Sequence, residues 1–278
     1  MAETILRTAG LLAAGAASGL VGALLGLGGG IFLIPALVLG FGVPMHSAVA
    51  AGLVAVIATS SAGGAQNAEH GVANVRLGMV LEVATVLGAL GGGFLAQRLA
   101  ADWLGLFFAA VLLAVSVTLC MRRRVREAHE YHGSGGLLDG RYHDPASGRE
   151  VVYSVRRLPV ALATSLAAGF VSALLGLGGG ILKVPGLHLF CGVPMKAATA
   201  TSNLMIGVTA AASATIYLAV GAVPGALAAT VCLGVLAGSR AGVRLSRRLS
   251  ERLVARLFAV VTLTISLFMF RRFLHGSP

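Results

Sequence analysis

Two runs of LGLGGG end in consecutive glycines, Gly28-Gly29-Gly30 and Gly178-Gly179-Gly180. Adjacent glycines gain nothing for packing over alternate ones and each costs a helix about 1 kcal/mol against alanine. What they permit is an unwound backbone whose N–H groups, at the start of the next short helix, face an anion with the positive end of the helix dipole behind them; the structural alternative is a plain kink. Neither run is a phosphate loop, because GxxxxGK[ST] is absent and G-x-G-G-G does not match G-x-G-x-x-G. Lys183, three residues after Gly180 in an apolar stretch, would add a point charge for the same anion if buried, and would snorkel if near the surface. Thr201, Ser202 and Asn203 follow the second run, while Ser60 and Ser61 lie late in the segment after the first. Uncharged hydroxyl and amide groups suit an oxyanion, although buried Ser and Thr also bond their own backbone. Glu82 is the only carboxylate within an apolar run of spanning length. It is a candidate for coupling to a proton or cation, or an interfacial residue six positions past Arg76.

The elements that must hold these residues belong in a bilayer. The chain of 278 residues is 57% hydrophobic and 11% charged, with a mean hydropathy of +0.90, which no ordinary soluble domain of this length shows. Between Arg7 and Arg76 only His46, Glu69 and His70 are ionisable. Apolar runs at about 47–66, 77–97, 103–121, 197–218, 224–243 and 253–270 each approach the ~20 residues a bilayer requires. Segments of about 9–41 and 159–191 would each reach about 50 Å as straight helices, against a ~30 Å hydrocarbon core. Each carries its glycine triplet near the middle and a proline five residues on, Pro35 and Pro185. Both are expected to break there, as a re-entrant hairpin or two short arms.

The two motifs are parts of a larger duplication. Residues 19–50 match 169–200 at 20 of 32 positions without a gap. The same register holds through Gly88 and Gly238, Gly92 and Gly242, Arg98 and Arg248, and Arg122 and Arg272. The chain therefore reads as membrane repeat 1–121, linker 122–158 and membrane repeat 159–278. The fold expected is an all-α integral membrane protein with about four spanning segments per repeat, about eight in total. Duplication around a glycine-broken apolar segment points to a transporter whose site lies where the repeats meet. The first segment resembles a secretory signal, but its reappearance at 156–176 predicts that it is retained.

Charge placement selects the topology. If each broken segment returns to the side it entered from, the repeats are inverted. With the linker in the cytoplasm, 16 basic residues then fall inside and 4 outside. Parallel repeats would split them 12 against 8. The positive-inside rule favours inverted repeats with both termini outside. Arg240, Arg244, Arg248, Arg252 and Arg256 fall at steps of four. They would line one helical face as topology signal and lipid anchor, worth ~1 kcal/mol each at an anionic surface.

Gly15, Gly19, Gly22 and Gly26 make a one-faced stripe matched by Ser165, Gly169, Ser172 and Gly176, and Gly88/Gly92 and Gly234/Gly238/Gly242 repeat the device. Such stripes let helix backbones approach closely. In the linker, a Pro-Ala-Ser-Gly cluster after Asp144 reads as a turn between two short strands. His129, His132 and His143 lack a cysteine partner and a metal-ligand spacing, so they read as solvated. Cys120, Cys191 and Cys232 lie in or beside apolar runs and read as small packed residues. Neither cofactor nor metal is expected. Nucleic-acid binding would need a soluble basic domain, and the sequence has none. An enzyme would need a nucleophile–base pair, a metal set or paired carboxylates within the spans, and these are missing too.

With its doubled GLVGALLGLGGGIFLIPAL…GVPMHSAVA and GFVSALLGLGGGILKVPGL…GVPMKAATATSN, the chain resembles the TauE/SafE sulfite-exporter family over essentially its whole length. The linker LLDGRYHDPASGREVVYSVRRLP is similar to that of members with a small cytoplasmic insert. The resemblance implies passive or ion-coupled movement of small inorganic or organic anions, often sulfite or organosulfonates, across a bacterial inner membrane. The competing class is a membrane scaffold that holds a partner with its basic linker. A scaffold does not need the doubled glycine break.

Overall fold

A computed structural model describes residues 2–25, 28–69, 71–121, 136–144, 149–246 and 251–274. The His129, His132 and Cys120 side chains lie outside the described set, as do those of Arg244, Arg248, Arg252 and Arg256. The described residues are helical apart from one strand pair and the short connections between elements. Helix α1 (Ala2–Leu25) precedes the first glycine triplet and α2 (Gly30–Pro35) follows it, continued by a π turn over Ala36–Gly40. Then come α3 (Met45–Glu69), α4 (Val75–Arg98) and α5 (Ala101–Met121), strands β1 (Gly140–Asp144) and β2 (Arg149–Tyr153), and α6 (Leu158–Leu175). Past the second triplet follow α7 (Gly180–Cys191), α8 (Met195–Ala219), α9 (Gly225–Ser246) and α10 (Glu251–Leu274). Helices α7 to α10 each begin 150 residues after α2 to α5. The long segments are thus interrupted at both glycine triplets. The π turn after Pro35 has no equivalent after Pro185, where α7 stays α-helical.

Among the described residues, five helices are long and apolar enough to cross a membrane, at Ile5–Leu24, Val75–Arg98, Leu158–Leu175, Met195–Ala219 and Gly225–Gly242. Shorter apolar helices lie at Gly30–Gly40, Met45–Ser61, Ala101–Val117 and Gly180–Cys191. The outside of the bundle is apolar: Met79, Val83, Leu87 and Phe94 of α4, with Trp103, Leu233 and Leu267, are all exposed. Buried positions meanwhile include Lys183, Thr201, Ser202, Thr209 and Ser213. Large apolar side chains outside and polar groups inside is the arrangement that a lipid solvent selects.

Helices of the first half pack on helices of the second: α1 on α9, α4 on α6, α3 on α8 and α5 on α10. The glycine stripes make the first two contacts. A Cβ on Gly19 would strike the Val235 carbonyl, and one on Gly238 or Gly242 would strike the carbonyl of Ala16 or Leu20. In the α4–α6 contact, Gly88 faces the Leu166 carbonyl, Gly92 that of Phe170 and Gly169 that of Thr85. Each pair of backbones meets where side chains are missing, so dispersion contacts replace the hydrophobic effect that lipid cannot supply.

Strands β1 and β2 pair antiparallel, Gly140 opposite Tyr153 and Tyr142 opposite Val151. That register puts Tyr142 and Tyr153 on one face with ring centroids 6.4 Å apart, and the buried rings join a cluster with Leu77, Leu81, Val184, Leu187 and Val193. Asn74 ties the hairpin to the bundle. Its Nδ2 donates to the Leu138 carbonyl (2.9 Å), its Oδ1 caps α4 by accepting from Leu77 N–H (3.0 Å), and its own N–H donates to Thr201 Oγ1 (2.9 Å). The hairpin therefore sits over the ends of α4, α7 and α8.

Candidate functional site

The two glycine breaks converge on one place. A Cβ on Gly28 would stand 3.4 Å from the Val56 methyls, and one on Gly178 would lie 2.7 Å from Val56 Cγ1 and 2.6 Å from Ile206 Cγ2. Val56 of α3 and Ile206 of α8 occupy equivalent positions, so this apolar pair lies between the breaks. Gly28, Gly178 and Gly179 hold φ of +75°, +75° and +79°, left-handed backbone that other residues reach only with strain. Gly29 instead is right-handed, at φ −69°. A side chain on Gly30 would strike the Gly176 carbonyl.

The breaks differ in what surrounds them. At the second, the hydroxyls of Ser172 (α6) and Ser202 (α8) are both 0% exposed, and neither has a hydrogen-bond partner. A Cβ on Gly179 would lie 3.3 Å from Ser172 Cβ, and one on Gly180 would lie 3.5 Å from Ser202 Oγ. Buried hydroxyls without partners are costly, and these two flank the N-terminus of α7, where the N–H groups of Gly180 and Ile181 precede the first helical bonds, from Leu182 and Lys183 to the Gly179 carbonyl. At the first break the equivalent positions are Gly22 and Gly52. A Cβ there would meet Gly29 backbone at 2.6 Å or Ile34 Cδ1 at 2.7 Å, so that side is filled by protein.

Lys183 lies in the first turn of α7, its N–H bonded to the Gly179 carbonyl at 3.2 Å. Its side chain is 1% exposed, so it does not snorkel. The ammonium donates to Thr209 Oγ1 at 2.9 Å and stands 3.6 Å from Glu82 Oε2. Thr209 Oγ1 lies 2.7 Å from Glu82 Oε1 and 3.0 Å from the Met205 carbonyl, so its single proton serves one acceptor at a time. Glu82 Oε2 is buried and accepts no hydrogen bond. Helices α4, α7 and α8 bring Glu82 against Lys183 although the two are 101 residues apart in sequence. An ion pair out of water needs this mutual neutralisation, because desolvation costs several kcal/mol per ion.

The other residues singled out by sequence lie elsewhere. Thr201 spends its oxygen on Asn74 N–H, and Asn203 is half-buried beside Ser202 on α8. Ser60 and Ser61 both donate back to the Ile57 carbonyl, at 3.3 and 2.8 Å. Ser60 Oγ also fills the space left open at Gly207, so it serves the α3–α8 contact. Two groups at the second break escaped sequence reasoning. Ser172 reads as one more small residue in a packing stripe, and Thr209 is camouflaged because its repeat partner is Thr59. The available signal was that Lys183 and Glu82, of opposite charge, both stand opposite uncharged partners, Leu33 and Cys232.

An apolar exterior, glycine-packed helices and a buried ionic and hydroxyl cluster beside a broken helix define a multi-pass membrane protein with a polar interior. The chain belongs to the sulfite exporter TauE/SafE family, whose model matches residues 11–269. It is also similar to a probable membrane transporter protein, YunE, of Bacillus subtilis (strain 168), with 27% identity over 213 residues, 74% of either chain. No solved structure matches it.

Proposed function

We propose that this protein carries small oxyanions, sulfite or sulfonates in chemical class, across the bacterial inner membrane by alternating access between two inverted repeats of about four spanning segments each. The substrate is held at the second glycine break. Family membership supports the transport role. The observation that carries the site is the pair of buried, unpartnered hydroxyls, Ser172 and Ser202, facing the N-terminus of α7. An oxyanion there would accept from both hydroxyls and from the Gly180 and Ile181 N–H groups, with the helix dipole and Lys183 behind it. Val56 and Ile206 form the apolar closure between the breaks. Gly28, Gly29 and Gly30 let the first half approach this closure, and the unequal linings leave the anion's contacts to the second half.

Flux in proteoliposomes across a panel of sulfite, methanesulfonate, taurine and chloride tests this reading. The expected result is saturable uptake of at least one sulfur oxyanion, lost in Gly179→Leu while membrane insertion persists, since insertion reads total hydrophobicity. Uptake no faster than in empty liposomes would overturn the transport reading. Normal uptake by Gly179→Leu would reduce the glycines to a kink.

A further inference from the structure

We infer that Glu82 is a proton site that occupies Lys183 in the absence of substrate, so that each anion binds together with one proton. The inference rests on reading the second break as the anion site. Four observations carry it. Lys183 is sequestered, with Glu82 as the carboxylate within ion-pair distance among the described residues. Glu82 Oε2 accepts no hydrogen bond, so only the ammonium compensates that oxygen. Thr209 bridges the two groups, 2.9 Å from the ammonium and 2.7 Å from Glu82 Oε1. The repeat-related positions keep the threonine, as Thr59, but hold Leu33 and Cys232 where the ion pair would stand. The threonine alone therefore does not need the pair, and the pair is built onto α7, the helix whose N-terminus Ser172 and Ser202 flank.

Charge balance gives the mechanism. The resting pair is neutral, and a bare anion arriving at the same break would leave a net negative charge in a desolvated site, which is strongly disfavoured. A proton taken up on a Glu82 carboxylate oxygen restores neutrality: ammonium, anion and neutral acid. The protonated carboxyl releases Lys183 to the anion and can donate a hydrogen bond it could not give before. When the anion leaves, the proton leaves and the pair re-forms. No bond other than O–H is made or broken.

Other titratable groups on the surrounding elements do not duplicate this role. Helix α6 has none. On α7, His188 engages the Val193 carbonyl and Cys191 is buried away from the pair. On α8, Lys196 lies in the first turn, and Tyr217 bonds the Ala173 carbonyl. On α3, His46 contacts the Ala96 carbonyl, and the Glu69 side chain is outside the described residues. Arg76 and Arg98 lie toward the two ends of α4, and Tyr142 and Tyr153 pack in the hairpin.

Methanesulfonate is the probe, because it stays ionised near neutral pH and any proton that moves is then carried by the protein. Purified full-length protein in weakly buffered detergent solution is mixed with the anion while a pH indicator reads proton uptake, and binding is followed by equilibrium dialysis. Wild type should take up close to one proton per anion bound, by linkage. Glu82→Gln should bind the anion with no proton uptake, and Glu82→Asp should keep the uptake. In vesicles, an inward proton gradient should drive methanesulfonate accumulation by wild type, whereas Glu82→Gln should only exchange it. Wild-type binding without proton uptake, or undiminished uptake in Glu82→Gln, overturns the proton site and leaves the transport reading standing. If wild type neither binds nor moves methanesulfonate, sulfite replaces it under the same comparison of wild type with Glu82→Gln. Failure with both anions overturns the transport reading and the proton site together.

Discussion

Removing the Lys183 ammonium alone leaves the Glu82 carboxylate buried without its counter-charge, so Lys183→Met tests two quantities at once. Breaking one side of a buried pair costs about 3–5 kcal/mol, and thermal unfolding in detergent should show a marked loss. The double variant Lys183→Met with Glu82→Gln should recover most of it, and in that background the anion contact is read separately. Losing a charge-assisted contact of about 1.5–3 kcal/mol lowers apparent affinity roughly ten- to 150-fold. Lys183→Arg should keep part of the affinity, since its charge persists but its wider fork suits a flat carboxylate better. Unchanged affinity in the double variant would place the ammonium out of the anion's reach. Lys183 and Glu82 were each legible as charges without a charged repeat partner. Their pairing was not, because no spacing rule links residues on different halves of a bundle. Ser172 was hidden for another reason: a serine in a small-residue stripe looks the same whether it packs or binds.

The helices are set apart by how closely their backbones approach. Gly238→Val would drive a side chain into the Ala16 carbonyl, and overpacking against backbone that cannot yield belongs at the upper end of the typical 1–3 kcal/mol. A lowered melting temperature with loss of monodispersity is expected. Gly225→Ala, where nothing lies within 4 Å, should be silent. Equal tolerance at both sites would mean that the α1–α9 contact is looser than described. Hydropathy and the glycine triplets made the long helices and their interruptions legible. Glycine stripes identified the packing faces but not their partners, since α1 meets α9 and α4 meets α6 only through tertiary geometry. The docking of the strand pair was equally out of reach, because it depends on Asn74, an unremarkable loop residue. Asn74→Ala removes the helix cap, worth about 1 kcal/mol, and the bond to Leu138. Limited proteolysis should then cut the 136–156 segment faster than in wild type.

The two halves are related in sequence, and among the described residues the unpartnered hydroxyls and the Lys183–Glu82 pair lie beside the second glycine break. Inverted repeats would put 16 basic residues on the linker side against 4 on the other, so on that reading reporter fusions at Arg141 and Arg247 should both be cytoplasmic and one at Pro278 external. An external Arg247 with a cytoplasmic C-terminus would restore parallel repeats. The duplication made the two halves legible, but their inequality became visible only when the linings were compared: Ser172 and Ser202 at one break, Gly22 and Gly52 at the other. That inequality is the core of the account, and concentration-dependent sulfur-oxyanion uptake by two double variants tests it most directly. Ser172→Ala with Ser202→Ala removes the unpartnered hydroxyls, and KM should rise at least about tenfold, each hydroxyl bond to an anion being worth about 1.5–3 kcal/mol. Ser60→Ala with Ser61→Ala removes hydroxyls that bond their own helix, and KM should not change. A rise confined to the Ser60/Ser61 variant, or wild-type KM in the Ser172/Ser202 variant, would contradict an anion site at the second break.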